Sequence, residues 1–230
     1  MVRNVAIIPA RSGSKRIKDK NIHAFGGKPL LAWSVQHALE SGIFEKVYVS
    51  TDSVEYSRIA ASYGSFQPFL RDTHADDYST VADVVVHELV RLEEYCGVQY
   101  DNVGILQPTC PLCPASTIKE IYNEFLRLDV STMTSCFQFA HGNPWWAFKL
   151  TDSNDADFIL SNPEESRSQD RPGLFCPTGA IALAKCRDFK INPTLYGIGH
   201  SFFPIPWKYG FDIDEPEDID IGELLLQSLT

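Results

Sequence analysis

Short apolar runs and longer amphipathic stretches alternate along most of the chain. Apolar runs bounded by turn residues predict strands over 5–10, 46–50, 102–107 and 130–139, and again over 179–184 and 202–206. Apolar residues at helical spacing predict helices over 29–41, 55–63, 80–95 and 217–229. A further helix is predicted to begin at Thr117, because Thr117 and Glu120 have the spacing of a capping box.

This alternation predicts an α/β fold with right-handed βαβ units and a mostly parallel sheet flanked by helices. We expect one domain over residues 1–230, since neither a repeat nor a low-complexity linker divides the chain. Ligands of such sheets bind beyond the carboxyl ends of the strands. Three loops, over 11–21, 50–53 and 107–114, are therefore predicted to meet at one edge of the sheet.

The alternation stops between residues 140 and 178. This segment is polar and contains several prolines, and it carries two adjacent tryptophans, Trp145 and Trp146. We interpret it as an excursion from the sheet in the form of a hairpin arm. A tryptophan pair on such an arm suits a subunit interface. A small local core under a long loop explains the pair equally well.

The loop after the first predicted strand concentrates positive charge in an acidic chain. Residues 11–20 include five basic residues and one acid, whereas the whole chain has a formal net charge of −10. The basic residues are Arg11, Lys15, Arg16, Lys18 and Lys20. The loop matches neither G-x-x-x-x-G-K-[ST] nor G-x-G-x-x-G. Ser12, Gly13 and Ser14 still allow backbone N–H groups to turn toward an anion, and Lys20 and Asn21 can close over it. The loop predicts a bound polyanion such as a triphosphate; the alternative is a solvated basic loop.

A second charged group, this one acidic, lies near the other end of the chain. Asp212 and Asp214 are separated by one residue, so their side chains share a face of an extended segment. Both carboxylates can then ligate one Mg²⁺ or Mn²⁺ beside a phosphate. Acidic residues before a helix are also common as caps. Together with the basic loop, the pair predicts a metal-dependent phosphate site.

Composition and charge argue against several kinds of partner. The negative net charge disfavours a nucleic-acid surface, which requires a broad basic face. No apolar run is long enough to span a bilayer and the N-terminus lacks a signal-peptide layout, so we expect no membrane association and a cytoplasmic location. Cys110 and Cys113 form a C-x-x-C without the second pair that a zinc ribbon needs. A thioredoxin-type redox pair is compatible with this spacing, and two free thiols in a loop are the favoured interpretation.

Five motifs together resemble one enzyme family. They are IPARSGSKRI over 8–17 with Lys20 and Asn21, VSTDS over 49–53, LQPT over 106–109, PTGAI over 177–181 and DIDEPED over 212–218. In this order, and over nearly the whole chain, they resemble the acylneuraminate cytidylyltransferase family. This family comprises the CMP-sialic acid synthetases and their relatives for pseudaminic and legionaminic acids.

The resemblance implies a Rossmann-like nucleotidyltransferase fold and a homodimer, with a dimerisation arm and part of the sugar site over 140–178. It also implies the reaction of CTP with a nonulosonic acid, a nine-carbon 2-keto acid sugar, to give the CMP-sugar and pyrophosphate. We expect the anomeric hydroxyl of the sugar to attack the α-phosphorus of CTP. Pyrophosphate would leave while held by Arg11, Lys15 and Arg16.

Carried over position by position, the resemblance assigns roles to single residues. Arg11, Ser14, Lys15 and Asn21 match the family's triphosphate- and cytidine-binding loop, to which Ser12, Gly13 and Arg16 also belong. Arg71 and Ser79 resemble a nucleotide-contacting segment. Gln107, Arg167 and Thr178 match the sugar side of the site. Asp212 and Asp214 match the metal carboxylates and, with Arg11 and Lys15, form the expected catalytic group.

The chain departs from the family pattern on the sugar side. Cys113 stands where the family often has arginine, Cys176 replaces a basic residue, and tryptophan replaces another near residues 144–146. Arg171 and Lys208 are alternative cations for the sugar carboxylate. Two other functions remain open from the residues. They are a D-x-D glycosyltransferase that uses a nucleotide-sugar donor, and a non-catalytic nucleotide-binding paralogue.

Overall fold

The computed structural model describes residues 2–74, 79–140, 142–160, 167, 170–196 and 199–229. Its strands are β1 (Asn4–Pro9), β2 (Ala24–Phe25), β3 (Lys28–Pro29), β4 (Lys46–Ser50), β5 (Asn102–Ile105), β6 (Thr132–Gln138), β7 (Phe148–Leu150), β8 (Ala156–Phe158), β9 (Phe175–Lys185) and β10 (His200–Pro204). Its α-helices are α1 (Leu30–Ser41), α2 (Val54–Ser62), α3 (Val81–Cys96), α4 (Ala115–Leu128), α5 (Cys186–Ile191) and α6 (Pro216–Gln227).

Six of these strands form one mixed sheet in the order β10-β6-β9-β5-β1-β4. β1 pairs in parallel with β4 and β5, and β10 pairs in parallel with β6. β9 is antiparallel to both of its neighbours, β5 and β6. The expected α/β fold with a mostly parallel sheet is therefore confirmed. The carboxyl ends of β1, β4, β5 and β6 all lie at one edge of this sheet.

The sequence of β1 explains its central place in the sheet. Parallel strands covered on both faces are almost continuously apolar, and Val5–Ile8 of β1 are fully buried. Ala6 and Ile8 pack in a core with residues of α1 and α4. Val5 and Ile7 face the opposite way, into a core with residues of α3. Helices therefore cover both faces, and β1 leads directly into the basic loop.

The predicted helix starts agree with the structure to within one residue except at α4. α4 begins at Ala115, with Pro114 as its N-cap and no capping side chain. The predicted start at Thr117 is wrong because Thr117 lies inside the first turn, where it is buried. Proline sets the backbone for a helix start two residues earlier. Capping boxes instead open α3, between Thr80 and Asp83, and α6, between Glu215 and Asp218.

The segment after β6 contains the predicted hairpin. A short 3-10 helix over Pro144–Trp146 leads into β7, which pairs with β8 in antiparallel fashion. The Trp145 indole donates to the carbonyl of Pro172 at 3.0 Å. The Arg171 guanidinium lies 5.4 Å and 5.1 Å from the ring centres of Trp145 and Trp146. The tryptophans thus pack on the chain that returns to the sheet, as the local-core interpretation expects, although Trp146 stays 40% exposed.

The two ends of the chain meet in a third core. Phe25, Leu30 and Ile213 are buried together, and residues of α6 pack against them. A Cβ atom on Gly222 of α6 would lie 2.9 Å from the Phe25 ring, so this close contact requires glycine. These contacts join residues near the two ends of the described chain. Among the described residues, no helix combines the length and apolar character needed to cross a membrane.

Candidate nucleotide site

Two adjoining cavities lie at the carboxyl edge of the sheet. The first, of about 270 Å³, is lined by Pro9, Arg11, Ser14, Lys15, Arg16, Lys20, Asn21, Gln107, Pro108 and Thr109. The second, of about 170 Å³, is lined by Pro9, Arg11, Arg71, His74, Ser79, Val81 and Val84. Both share Pro9 and Arg11. The fold therefore places loops 11–21 and 107–114 together, as the sequence predicted.

The first cavity concentrates positive charge. Arg11, Lys15, Arg16 and Lys20 all line it, and Gln107 and Thr109 close its other side. Four cations around one polar cavity give it the electrostatic character of a polyphosphate site. Asn21 stabilises the loop from within, since its buried amide donates to the carbonyl of Arg11 at 2.9 Å.

Ser12 does not line either cavity. Its backbone N–H donates to Oδ1 of Asp52 at 2.9 Å, and its hydroxyl donates to Oδ2 at 2.8 Å. The expectation that the Ser12 N–H turns toward an anion is thus not met in this conformation. Gly13 also lies outside the lining residues, whereas Ser14 lines the first cavity. Sequence reasoning missed the role of Asp52, which follows β4 and lies 40 residues away.

The second cavity is bordered by Arg71, whose side chain hydrogen-bonds to Ser50 and His74. Arg71 is buried, and its Nε and Nη2 donate to the side chain and carbonyl of Ser50 at 2.9 Å and 2.6 Å. Its Nη1 donates to the carbonyl of His74 at 3.2 Å. Burial lowers the pKa of Arg71, and nearby Glu88 and Asp52 act in the opposite direction. Ser79 lies 3.0 Å from the His74 ring nitrogen.

The basic loop contacts the acidic segment directly. Lys20 Nζ lies 2.8 Å from Oδ1 of Asp214 and donates to the carbonyl of Ile213 at 3.0 Å. Arg16 pairs with Asp214 at 3.1 Å and with Glu215 at 3.0 Å. The hydrogen bond from Lys20 is the main cause that lowers the pKa of Asp214, and Arg16 adds to it. The two charged groups that the sequence singled out are therefore neighbours in space.

Asp212 has a different electrostatic environment from Asp214. Desolvation by the surrounding protein raises the pKa of Asp212, and the nearby carboxylates of Asp214 and Asp218 raise it further. A hydrogen bond from Thr109 and the charge of Lys20 act against this rise. Carboxylate oxygens are the donors that Mg²⁺ prefers, and a cation would relieve the crowding of negative charge around Asp212. The donor set thus fits a divalent metal, which would share Asp214 with Lys20 and Arg16.

The sugar-side residues are only partly brought together. Gln107 lines the first cavity, and its N–H donates to the carbonyl of Gly179 at 2.9 Å. Thr178 of β9 is buried, with Oγ1 at 2.5 Å from the hydroxyl of Ser135. Arg167 lines neither cavity; it is exposed and pairs with Asp170 at 2.9 Å. Its neighbours at 161–166, 168 and 169 lie outside the described residues.

The cysteines near the site are free thiols. Cys110 and Cys113 are both buried in the loop after β5. Burial raises the pKa of the Cys113 thiol to about 12, and it also raises that of Cys110. Thiols held in this protonated form are poor nucleophiles, so the free-thiol interpretation of the C-x-x-C is confirmed for this structure.

Within the described part of the chain, one group of three potential metal ligands comes together outside this site. It consists of Asp72, His87 and Glu88. Arg91 already pairs with both carboxylates, at 3.3 Å from Asp72 and 3.1 Å from Glu88. Tyr48 also donates to Glu88 at 2.7 Å. We therefore interpret this group as an ion-pair network that ties α3 to the segment containing Arg71.

The model of one protein family, described as cytidylyltransferase, matches residues 5–155. The chain belongs to this cytidylyltransferase family. The match includes β1, the basic loop and the loop after β5, but it ends before Asp212. Membership in this family favours nucleotidyl transfer over the D-x-D glycosyltransferase that the residues alone left open.

Two relatives extend the likeness of this cytidylyltransferase over nearly its whole length. Pseudaminic acid cytidylyltransferase of Campylobacter jejuni is 32% identical over 225 residues, which are 97% of this chain and 96% of that protein. CMP-N,N'-diacetyllegionaminic acid synthase of Legionella pneumophila is 40% identical over 240 residues, 98% of this chain and 97% of that protein. Both alignments therefore reach the acidic segment that the family model leaves out.

A solved structure confirms the fold of the cytidylyltransferase. The structure of CMP:2-keto-3-deoxy-manno-octonic acid synthetase complexed with CTP has a TM-score of 0.74 to this chain and is 17% identical. It covers 99% of this chain and 100% of the other. The expected Rossmann-like nucleotidyltransferase architecture is confirmed, and at this identity the likeness concerns the fold alone.

Proposed function

We propose that this cytidylyltransferase transfers CMP from CTP to the anomeric hydroxyl of a nonulosonic acid and releases pyrophosphate. One observation carries the proposal: a cavity lined by four cations lies between the basic loop and residues 107–109, and two of its lining residues, Lys20 and Thr109, contact Asp214 and Asp212. Relatives named for pseudaminic and legionaminic acid, aligned over nearly the whole chain, supply the class of acceptor.

We propose that CTP spans the two adjoining cavities, and the charge of the first cavity supports this orientation. The triphosphate would occupy the first cavity, where Arg11, Lys15, Arg16 and Lys20 offset its charge. The cytidine would occupy the second cavity, which Arg71 and Ser79 border. Arg11 lines both cavities, and this position is where the α-phosphate joins the nucleoside.

The chemistry is a direct in-line transfer. The anomeric oxygen forms a bond to the α-phosphorus, the bond from that phosphorus to the pyrophosphate oxygen breaks, and the hydroxyl proton passes to solvent. Arg11, Lys15 and Arg16 stabilise the charge that develops on the departing pyrophosphate. Arg16 must exchange Asp214 and Glu215 for phosphate oxygens when CTP binds, because its guanidinium pairs with both carboxylates in this structure.

Asp212 and Asp214 would hold Mg²⁺ or Mn²⁺ beside the phosphates. When bound, this ion offsets phosphate charge and lowers the pKa of the attacking hydroxyl. Lys20 keeps Asp214 ionised, since its hydrogen bond lowers the pKa of that carboxylate. Asp212 is held toward the loop after β5 by the hydroxyl of Thr109.

The acceptor would lie beside Gln107, on the side of the first cavity that faces β9. Gln107 is the sugar-side residue that lines this cavity, and Thr178 supports the strand beneath it. Arg167 remains a proposed contact from the segment before β9. Arg171, stacked on the two tryptophans, and Lys208 are candidate partners of the sugar carboxylate.

We also propose a homodimer in the cytoplasm. The hairpin arm and the adjacent sheet edge expose large apolar side chains, a composition typical of subunit interfaces. They are Leu150, Ile159, Phe175 and Phe202. All six cysteines are free, as expected for a protein in a reducing compartment.

Product analysis tests the proposed function. CTP and Mg²⁺ would be incubated with pseudaminic, legionaminic, sialic and deaminated nonulosonic acids in turn, and the CMP-sugar measured by mass spectrometry. We expect a CMP-sugar with at least one acceptor, and no UMP-sugar when UTP replaces CTP. Binding of CTP by calorimetry without product from any acceptor would support the non-catalytic paralogue instead.

A further inference from the structure

The basic loop is tied to the end of β4 on both sides of Arg11. The N–H of Ala10 donates to the carbonyl of Ser50 at 2.8 Å. The N–H and hydroxyl of Ser12 donate to the two carboxylate oxygens of Asp52 at 2.9 Å and 2.8 Å. Both residues that flank Arg11, Ala10 and Ser12, are therefore hydrogen-bonded to the segment 50–52, and these bonds hold the backbone of Arg11.

The same segment holds the border of the second cavity. Arg71 donates through its backbone to the carbonyl of Thr51 at 2.8 Å and through its side chain to Ser50. Residues 50–52 thus fix both Arg11, which lines the two cavities, and Arg71, which lines the second. Asp52 contacts the basic loop through its side chain, whereas Ser50 contacts it through its backbone carbonyl.

Asp52 has a charged partner in the buried Arg71, but it also lies beside a cavity proposed to bind an anion. Desolvation raises the pKa of Asp52, but the two hydrogen bonds from Ser12, the backbone N–H of Asp52 and the charge of Arg71 together lower it, so the group is ionised at neutral pH. An anion near a triphosphate site repels the ligand. Removing the charge should therefore strengthen CTP binding if Asp52 acts only through its field, and weaken it if the carboxylate holds the loop in its binding conformation.

We propose that Asp52 is a positioning residue of the nucleotide site, which fixes Arg11 by accepting both donors of Ser12. Asp52 contacts no part of the substrate in this proposal. The inference rests on the proposed function, because it assumes that the first cavity takes the phosphates of CTP. It assigns Ser12 to the same role, as the partner through which Asp52 acts.

The test compares CTP binding by calorimetry in wild type, Asp52→Asn, Ser12→Ala and the double variant. We expect Asp52→Asn to weaken CTP binding about tenfold or more, since small displacements of a positioning group have large effects. Ser12→Ala, which keeps the backbone hydrogen bond, should weaken binding in the same direction but less. The double variant should be little worse than Asp52→Asn, because both changes break one interaction.

A matched control separates positioning from general loss of stability. Asp101 accepts the N–H of Arg3 at 2.7 Å and ties the start of β1 to the residue before β5, at the opposite edge of the sheet. Asp101→Asn removes a comparable charged acceptor far from the cavities and should leave CTP binding unchanged. Cytidine, which lacks phosphates, should lose less affinity than CTP in Asp52→Asn.

Four outcomes would overturn the proposal. Tighter or unchanged CTP binding by Asp52→Asn would show that the carboxylate does not position the loop. An equal loss in Asp101→Asn would assign the effect to stability, and fully additive losses in the double variant would show that Ser12 and Asp52 act separately. Failure of the wild-type protein to bind CTP would instead overturn the proposed function, and this inference with it.

Discussion

Single residues of the site are held by contacts that local sequence does not reveal. The basic composition of the 11–20 loop predicted an anion site, and the cavity lined by Arg11, Lys15 and Arg16 agrees with that prediction. The direction of the Ser12 donors could not be predicted. They turn to Asp52, a residue 40 positions away, and only the parallel pairing of β1 with β4 brings the two together.

Gly179 lies where even one additional side-chain atom would clash with Gln107. A Cβ atom there would lie 2.8 Å from Cδ of Gln107, closer than side chains pack. We predict that Gly179→Ala displaces the Gln107 side chain, which raises the KM for the sugar acceptor and leaves the CTP dissociation constant unchanged. Steady-state kinetics and calorimetry measure the two quantities. The combination with Gln107→Ala should show no further defect, and additive defects would contradict this explanation.

The half-buried His37 predicts how the stability of the protein changes with pH. Desolvation, with a smaller effect of the Lys28 charge, lowers the pKa of His37 to about 4. Its folded pKa is below the value of about 6.5 in the unfolded chain, so the unfolded state gains protons first as the pH falls. We expect stability to be lost between about pH 6.5 and pH 4. His37→Gln should show a smaller loss than wild type in thermal unfolding over this range.

The exposed His23 provides the control for this measurement. His23→Gln should follow the wild-type pH profile, because the His23 side chain is exposed to solvent rather than packed in the fold. Equal pH profiles for His37→Gln and wild type would contradict the burial argument.

Helices and strands were predictable where the hydrophobic periodicity agrees with the turn and capping residues at the ends of the element. The αL conformation of Gly42 ends α1 as expected, and helix α6 begins within one residue of its predicted start. β9 was the weakest strand prediction, since it begins at Phe175 rather than at 179. Its first residues pair with β6 across an irregular register near Cys136, and that pairing depends on a distant strand rather than on local sequence.

The capping box of α3 gives a prediction at the scale of an element. Thr80 accepts the N–H of Asp83 at 3.2 Å, and Asp83 accepts the N–H of Thr80 at 3.1 Å. Thr80→Ala should reduce the free energy of unfolding by about 1 kcal/mol, because it leaves an N–H at the helix start without its partner. Urea denaturation provides the measurement. Thr80→Ser, which keeps the hydroxyl, should remain close to wild type, and equal losses in both variants would exclude a capping effect.

The whole molecule depends on contacts between its two ends. The basic loop near residue 11 and the acidic segment near residue 214 lie far apart in the sequence. The sequence predicted that they share a metal-dependent phosphate site. The structure adds direct ion pairs from Lys20 and Arg16 to Asp214. These contacts could not be derived from periodicity, because they follow from the packing of α6 and its preceding segment on the β2–β3 hairpin.

This connection predicts a pH-dependent contribution to stability. The pKa of Asp214 is lowered by Lys20, so the pair stabilises the folded state above the ordinary aspartate pKa and loses that effect as the pH falls through the lowered value. Lys20→Met should lower the Tm at pH 7, and its difference from wild type should shrink as the pH is reduced toward 3. A difference that stays constant over this range would contradict the ion-pair argument.

Pyrophosphate release tests the central claim most directly, namely that this cytidylyltransferase carries out nucleotidyl transfer between the basic loop and the Asp212–Asp214 segment. The rate would be measured with CTP, Mg²⁺ and an accepted nonulosonic acid for wild type, Asp212→Ala and Asp214→Ala. Asp220→Ala on α6 serves as the control. We predict losses on the order of 10²-fold or more for the first two variants and wild-type rates for the control. Near-normal release by both Asp212→Ala and Asp214→Ala would contradict the account.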